Sequence, residues 1–542
     1  MVIMKDSPKL ELGQRIELEY HRGTVRFLGA VPPTKGEWIG VEWDTDDRGK
    51  HSGDHNGIQY FTCKMPGTGS FTRPSPNISV GQSLLKILKE RYVDDELTAE
   101  DLYLGETNVK VDVYDFDRVK KKNSQLHLMQ IVGLANTNVS SAADFEETQK
   151  ACPEIQDLDL SSTLISSWQD LADVVAPLFK LTVLRINRDR FHPLTAQPSL
   201  EYAFKNIRCL AMNRVYISWD EMNMLEPSLP NLEILQIGFN IFTELGESDE
   251  STPVAEQKIK GFEKLENLHL EGNKLMDWNQ VLRLSRLPKL KSLDLSENRI
   301  ANIIGPKDPE DFKLLESLRI NDNDLKEWSS IDQLGLYTSV KSLWIANNPV
   351  MTKVAEDATA DNSGKADVVT ITIARMAHIN QLNGTEILKK NRINAELYYL
   401  KEAALSTVGF EPSAIQALHP RFEELCELHG RPDTSDERRK ATSDLLKDRL
   451  LNITFVAKDN IDGPAKTSVQ RGVLGSMTVR NVKNLVQKLL RVPAMRQELL
   501  FMAEDPVYAE VMHRVFLKDD LRMLSHYDIE DGAEVIVLNK AK

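Results

Sequence analysis

Cysteine and histidine side chains, the usual nucleophiles and metal ligands of proteins, are few and scattered in this sequence. The four cysteines are Cys63, Cys152, Cys209 and Cys426, which form no CxxC pair, and none lies at ligand spacing from any of the 11 histidines. His51 and His55 are four residues apart, but they lie in a glycine-rich turn, where helical alignment is not expected. The phosphate-loop, dinucleotide-binding, nucleophile-elbow and HExxH motifs are absent. The sequence therefore predicts no catalytic residue, no metal site and no cofactor, and it favours a protein that is not an enzyme.

Glycine-rich turns and aromatic residues distinguish the first 81 residues from the rest of the chain. This stretch holds eleven of the 27 glycines, and short alternating runs such as 15–20 (RIELEY) and 23–28 (GTVRFL) predict the strands of a small β-barrel. Four segments carry a motif: 36–44 (GEWIGVEWD), 49–53 (GKHSG), 57–63 (GIQYFTC) and 69–73 (GSFTR). In order and spacing they resemble the CAP-Gly domain, and the resemblance runs from Leu12 to Gly81.

This resemblance implies a groove that binds the acidic, aromatic-ended C-terminal tail of α-tubulin and similar tails. The residues that it places at the groove are Trp38, Gly49, Lys50, His51, Gly53, Phe71 and Arg73. Barrel core is the alternative position for Trp38 and Phe71, and Trp43, an odd number of residues from Trp38, is expected in the core. The family motif is Gly-Lys-Asn-Asp-Gly, and this chain has His51 in place of the asparagine and Ser52 in place of the aspartate. The predicted groove therefore contains a histidine, whose side chain titrates near neutrality.

The side chains of the predicted groove suit an acidic tail with an aromatic end. Aromatic walls hold a terminal ring, with about 0.5–1.5 kcal/mol beyond simple burial for a good ring pair. Lys50, Arg73 and backbone N–H groups of the glycine turn can meet a terminal carboxylate. A charge-assisted hydrogen bond of this kind contributes about 1.5–3 kcal/mol.

An internal repeat fills the middle of the chain. The template L-x-x-L-x-L-x-x-N-x-L fits nine times, with first positions at Met129, Ile155, Leu181, Ile207, Leu232, Leu265, Leu290, Leu315 and Val340. Alternating apolar residues predict one short strand in each repeat, and stacked strands form a parallel sheet on the concave side. The asparagine is expected to hydrogen-bond backbone groups where the chain leaves the strand. The pattern therefore predicts an α/β leucine-rich-repeat solenoid.

The repeat interval is 25 or 26 residues with one exception of 33. The polar segment 246–253 (GESDESTP) lies in that long interval and accounts for its extra length, so we expect a surface loop that leaves the stack intact. Trp168, Trp278 and Trp328 each lie 13 residues after a repeat begins, and packing of the return segment is favoured over a functional aromatic stripe. Ile234 and Trp344 are expected on the concave face, where a partner surface and scattered exposure remain equal alternatives.

The C-terminal block is predicted to be α+β. Strands are expected at 450–456, 468–479, near 498–502 and at 534–538, with a helix at 482–490. The order ββαββ, with MLSHYDIEDG at 523–532, resembles ubiquitin-like domains and implies their β-grasp fold. The chain ends NKAK without the family's conjugating Gly-Gly, so the resemblance implies docking rather than attachment to substrates.

The fold class predicted from these patterns is multidomain. The expected divisions are 8–81 for the CAP-Gly domain, 82–128 for a linker, 129–400 for the repeats with a C-terminal cap, 401–446 for a helical or linker segment, and 447–542 for the ubiquitin-like domain. The 67 basic and 81 acidic residues give a net charge of −14, which disfavours nucleic acid as a partner. No apolar run of spanning length occurs, no signal peptide is evident, and the unpaired cysteines fit a reducing compartment, so the cytoplasm is predicted. The cytoskeleton is implied by the CAP-Gly resemblance alone.

The three modules in this order resemble the tubulin-folding cofactor E family over nearly the whole chain. That resemblance implies a chaperone that binds the tail and body of α-tubulin and acts after the chaperonin in folding, assembly and dissociation of the α/β-tubulin heterodimer. Its implied partners are other tubulin-folding cofactors with β-tubulin and, by analogy alone, the proteasome or ubiquitin-pathway components; no membrane is implied. A CAP-Gly microtubule-associated adaptor and a ubiquitin-pathway scaffold remain alternatives.

Overall fold

The computed structural model describes residues 8–45, 47–93, 125–247, 251–352, 368–432, 450–461, 463–475, 477–504, 512–520, 522–527, 529 and 531–540. The chain forms two compact units, Met1–Ile387 and Leu388–Lys542. Each unit has its own hydrophobic core. None of the helices in the described ranges has the length and apolar character needed to cross a membrane.

The first unit begins with an antiparallel sheet. Its strands are β1 (Arg15–Leu18), β2 (His21–Ala30), β3 (Glu37–Trp43), β4 (Asp54–His55), β5 (Ile58–Gln59), β6 (Gly69–Thr72) and β7 (Gln82–Ser83). Four of them form a sheet in the order β1-β2-β3-β6, and β4 pairs with β5 in a separate hairpin. Alternate residues of β3, Ile39, Val41 and Trp43, are buried in the core of this sheet, which confirms the core position predicted for Trp43.

The repeats form a second, parallel sheet in the same unit. Its strands are β8 (Ile131–Gly133), β10 (Asp157–Asp159), β11 (Val183–Arg185), β12 (Cys209–Ala211), β13 (Ile234–Gln236), β14 (Asn267–His269), β15 (Ser292–Asp294), β16 (Ser317–Arg319), β17 (Ser342–Trp344) and β18 (Gln381–Leu382), closed by the antiparallel β19 (Thr385–Glu386). Each of the nine repeat strands begins two residues after its predicted first position, which confirms the repeat. The remaining strand, β9 (Val139–Ser141), pairs with β7.

Short helices return the chain along the other side of the sheet. They are α1 (Leu84–Tyr92), α2 (Phe145–Ala151), α3 (Trp168–Val175), α4 (Glu201–Phe204), α5 (Trp219–Leu225), α6 (Trp278–Leu282), α7 (Trp328–Leu334), α8 (Pro349–Thr352) and α9 (Val368–Arg375). Trp168 and Trp278 are buried in the solenoid core and Trp328 packs against it, so the preference for packing is confirmed. Leu235 pairs with Leu268 across the long interval, so the inserted segment leaves the register intact, as predicted.

Asparagine side chains connect successive repeats. The Asn298 amide nitrogen donates to the carbonyls of Leu270 and Leu295, both at 3.0 Å, and its oxygen accepts from the Leu275 N–H at 3.0 Å. One side chain thus satisfies three backbone groups of two repeats, which confirms the predicted role. In the third repeat Asp189 takes this position.

The first part of the predicted linker belongs to the solenoid. Leu84, Ile87 and Leu88 of α1 are buried in the solenoid core. The strand before this helix, β7, pairs in parallel with β9 of the first repeat. An end repeat exposes apolar surface, and this amphipathic helix covers it. Residues 94–124 of that linker lie outside the described residues.

The second unit opens with three helices, α10 (Lys389–Ser406), α11 (Pro412–Leu418) and α12 (Phe422–His429). The domain boundary expected at residue 400 is wrong in one respect, since it falls inside α10, where no glycine or proline interrupts the helix. Glu396 links α10 to the start and end of α12: its carboxylate oxygens lie 3.3 Å from the Arg421 guanidinium and 2.9 Å from His429 Nε2.

The C-terminal sheet contains five strands around one helix. The strands are β20 (Leu450–Lys458), β21 (Thr467–Leu474), β22 (Gln497–Glu504), β23 (Met512–Phe516) and β24 (Glu534–Asn539), in the order β21-β20-β24-β22-β23. Val479, Val482 and Val486 of α13 (Val479–Leu490) are buried against the sheet. The second predicted strand was drawn too long, since residue 479 begins the helix behind the Thr478 N-cap, and β23 was missed.

Candidate functional site

A glycine in the middle of β3 creates room for aromatic rings. Gly40 pairs with Phe27 of β2 on one side and with Phe71 of β6 on the other. A β-carbon at Gly40 would lie 2.5 Å from Cε1 of Phe61, so no other residue leaves space for that ring. The sheet thus gathers three rings above one backbone position.

Phe71 lies at the centre of a larger set of rings, which we call the aromatic cluster. The distances from its ring centroid are 5.1 Å to His51, 5.5 Å to Tyr60, 5.5 Å to Phe61, 6.0 Å to Phe27, 6.2 Å to His55 and 6.4 Å to Trp38. The structure therefore brings the predicted site residues Trp38, His51 and Phe71 together. Trp38 and Phe71 are half-buried rather than enclosed, which suits a groove wall better than core.

Gly49 and Gly53 shape the turn beside this cluster. A β-carbon at Gly49 would lie 1.9 Å from the carbonyl oxygen of Gly67. Gly53 has a φ of +99°, and a β-carbon there would lie 1.9 Å from the carbonyl oxygen of Phe61. Both glycines allow close approach of backbone segments, and a β-carbon fits at neither position.

Backbone N–H groups of this turn are already hydrogen-bonded. The N–H groups of Lys50 and His51 donate to the Gly69 carbonyl at 2.8 and 3.1 Å, and the Gly53 N–H donates to His51 Nδ1 at 3.0 Å. These three groups are therefore not available to bind a terminal carboxylate, as was expected of the turn. Of the groups expected to bind it, only the cationic side chains Lys50 and Arg73 remain.

The two predicted cations differ in their surroundings. The Lys50 side chain is exposed beside the cluster. The Arg73 guanidinium carbon lies 3.8 Å from the centroid of the Trp38 ring, and Nη1 donates to the Glu37 carbonyl at 3.2 Å. The Trp38 Nε1–H in turn donates to the Thr34 hydroxyl at 2.6 Å. Arg73 thus holds the tryptophan ring in place, while Lys50 is free to meet a ligand.

His51 has a defined protonation state. Its Nδ1 accepts the Gly53 N–H, so in the neutral ring the proton resides on Nε2. Burial lowers the pKa of His51 below its usual 6.5, and the charges of His55 and Lys50 lower it further against the opposing effect of Asp54. At neutral pH His51 therefore offers an uncharged Nε2–H donor.

The similarity of this chain to known proteins covers much more of the sequence than the residues of this site. The CAP-Gly domain family profile matches residues 12–76. Tubulin-specific chaperone E of Mus musculus is 32% identical over 97% of this chain and 98% of its own length, and that of Bos taurus is 33% identical with the same coverage. The chain belongs to the tubulin-specific chaperone E family. Tubulin-folding cofactor E of Arabidopsis thaliana is 28% identical over 97% of both chains.

In this member of the tubulin-specific chaperone E family, sequence reasoning missed four rings of the site. They are Phe27, His55, Tyr60 and Phe61. Tyr60 and Phe61 lie inside the quoted motif, and Gly40 was the signal that rings from neighbouring strands meet there. Phe27 could be added only with the pairing of β2 and β3, because a β-bulge between Val25 and Phe27 changes the register.

A group of possible metal ligands lies on the solenoid, where the sequence predicts none. Donor atoms of His269, Glu271 and Asp294 lie within 4.8 Å of one another. Burial raises the pKa of Glu271, with Asp294 and Glu297 adding to the effect against the opposing charge of His269. A raised pKa makes the Glu271 carboxyl a weaker ligand for a cation, and the aromatic cluster is the candidate functional site.

Proposed function

We propose that this chain is a tubulin-specific chaperone that binds α-tubulin and acts after the chaperonin in folding, assembly and dissociation of the α/β-tubulin heterodimer. The observation that carries the proposal is similarity over 97% of the chain to proteins named tubulin-specific chaperone E. The aromatic cluster supports it, because aromatic walls beside an exposed lysine suit the end of an acidic tail.

In the proposed complex, the terminal aromatic ring of the α-tubulin tail packs against Trp38 and Phe71. The Lys50 ammonium meets the terminal carboxylate, and the His51 Nε2–H donates a further hydrogen bond. Arg73 keeps the Trp38 ring in position. The solenoid contacts the folded body of α-tubulin, and two tethered contacts raise affinity beyond either one alone.

The proposed activity is binding rather than turnover. The chain holds α-tubulin while other tubulin-folding cofactors bring β-tubulin, and it needs no metal or cofactor for this. The C-terminal domain docks onto a partner, for which the proteasome and other ubiquitin-pathway components are the proposed class. We place the protein in the cytoplasm and at the cytoskeleton.

Calorimetric titration of the full chain with α-tubulin tests the tail site. The titration uses α-tubulin with its terminal aromatic residue and α-tubulin without it, each against the wild type and Lys50→Ala. We expect either change to weaken binding about tenfold, or about 1.4 kcal/mol. Lys488→Ala removes an exposed lysine of the C-terminal domain, which has no proposed contact with α-tubulin, and is the matched control, expected to bind as the wild type does.

The outcomes separate the parts of the proposal. If neither the aromatic residue nor Lys50 affects tight binding, the solenoid is the recognition surface and the tail site is wrong. If α-tubulin does not bind the wild type at all, the chaperone proposal itself fails.

A further inference from the structure

A second groove lies where the N-terminal sheet meets the solenoid, within the first unit. It has a volume of about 460 Å³. Tyr20 and Arg22 line one wall, and Arg188, Arg190, Arg214 and Tyr216 line the other. An opening of about 370 Å³ continues from it along the solenoid and shares Arg188 and Arg214. None of these residues belongs to the aromatic cluster.

The repeat itself positions the two central arginines. Arg188 and Arg214 are 26 residues apart and occupy the same place in successive repeats, where the chain leaves the strand with φ of +64° and +61°. The Arg214 guanidinium carbon lies 4.4 Å from the centroid of the Phe239 ring. Stacked repeats therefore present two guanidinium groups along one edge of the groove.

Arg190 is held beside them by different contacts. Its guanidinium carbon lies 4.3 Å from the centroid of the Tyr216 ring, and Nη1 donates to the carbonyls of Arg188 and Asp189, both at 3.0 Å. These contacts fix Arg190 as a charged floor for the groove. They also keep the loop that carries Arg188 in one conformation.

The charges of this groove do not cancel. Arg188 and Arg214 are exposed, and within the described part of the chain neither forms an ion pair with a carboxylate. The carboxylates of the opposite wall are engaged: Asp44 accepts from Arg15 at 2.6 and 2.5 Å, and Asp47 lies 3.2 Å from His21 Nε2. A chain of net charge −14 thus keeps two unpaired cations at one groove.

We infer that this groove binds an acidic segment of a polypeptide in extended conformation. Arg188 and Arg214 each meet a carboxylate of the segment, since the planar guanidinium fork matches a carboxylate with two parallel hydrogen bonds. Asp44 and Asp47 are engaged by Arg15 and His21, so the two unpaired guanidinium groups are the charges left to meet a bound segment. Two separate cations suit the spaced carboxylates of an acidic peptide better than the continuous phosphate chain of a nucleic acid, whose binding draws on many cations. The inference does not rest on the proposed tail site, because it involves none of that site's residues.

Calorimetric titration of the full chain with a peptide of about ten glutamates, blocked at both ends, tests this inference. The blocked peptide has neither an aromatic ring nor a terminal carboxylate, so it lacks what the aromatic cluster recognises. We expect the double variant Arg188→Glu and Arg214→Glu to lose at least about tenfold in affinity. Arg299→Glu makes a like change of charge at an exposed arginine of another repeat and is expected to bind as the wild type does.

A milder variant and a competitor keep the test decisive. The double variant Arg188→Gln and Arg214→Gln, checked for a wild-type unfolding temperature, should lose affinity in the same direction if contact with carboxylates is the cause. The inference is overturned if the glutamate peptide fails to bind the wild type, or if the glutamine variant binds it equally well. Tighter binding of an oligothymidylate, lost in the same variant, would instead identify a nucleic-acid site.

Discussion

His51 shows how one side chain couples pH to the shape of a binding turn. In the neutral ring, Nδ1 holds the Gly53 N–H and Nε2–H is left for a ligand. The lowered pKa of His51 keeps the neutral ring dominant at neutral pH. Protonation in mild acid places a hydrogen on Nδ1, which can then no longer accept the Gly53 N–H that holds the turn. We expect affinity for an aromatic-ended acidic tail to be constant above pH 7 and to fall several-fold as the pH drops below about 6.5.

The variant His51→Asn isolates this effect, because an amide does not titrate in this range. Tail affinity of the variant, measured by titration calorimetry between pH 5.5 and 8.5, should not change with pH. If the wild type and the variant respond to pH alike, another group is responsible and His51 is not the titrating residue.

At the scale of the repeat, Asp189 occupies the position that holds an asparagine in each of the last five repeats. Its Oδ1 accepts from the Thr163 N–H at 2.6 Å, and its buried Oδ2 has no hydrogen-bond partner among the described residues. Burial raises the pKa of Asp189 to about 8, although Thr163 and Arg15 oppose the shift. The folded state therefore binds a proton that the unfolded state has released, and this stability is lost as the pH rises through about 8.

The change Asp189→Asn should replace a buried carboxylate oxygen that has no partner with an amide nitrogen, which can donate to strand-end carbonyls as Asn298 does. We expect a higher unfolding temperature than wild type, with a gain that grows from pH 6 to pH 9 and reaches about 1–3 kcal/mol. Asn298→Asp is the reciprocal control and should destabilise most at pH 9. A variant less stable than wild type at pH 9 would show that Asp189 is ionised as a partner of Arg15.

At the scale of the whole first unit, a buried arginine of the N-terminal sheet contacts the solenoid. The Arg15 side chain is fully buried, bonds both oxygens of Asp44, and donates to the Thr163 carbonyl of the solenoid at 3.4 Å. His192 Nε2 lies 2.9 Å from the Gly13 carbonyl oxygen across the same junction. These contacts hold the two parts of the unit in one arrangement, and the groove lined by Arg188 and Arg214 depends on that arrangement.

The change Arg15→Met should cost about 3–5 kcal/mol, because it leaves Asp44 without its partner in a largely buried position. Scanning calorimetry should then show separate transitions for the sheet and the solenoid. Arg26→Met breaks the pair with Glu42 at 2.8 Å inside the N-terminal sheet, so it should lower the unfolding temperature without separating the transitions. Identical thermograms for the two variants would contradict the linking role of Arg15.

Local patterns predicted the elements of this protein well where a residue's environment depends on near neighbours. Each repeat packs on the next, so a period of 25 or 26 residues was enough to place nine strands and the inserted loop. Prediction failed where the pattern was short: β23 was missed, and the second C-terminal strand was extended into α13. Assigning α1 to a linker was wrong, because its apolar face packs against the solenoid core, which begins in the sequence only after residues 94–124.

By itself, the sequence determined the solenoid, the glycine-rich motif and three of the rings in the aromatic cluster, since spacing along the chain carries that information. Tertiary structure alone decided that the N–H groups of Lys50, His51 and Gly53 are already used, and that Phe27 joins the cluster. It also decided that Arg188 and Arg214 face Tyr20 across a groove. The physical reason is that such contacts join segments far apart in the chain, and only packing of the folded unit brings them together.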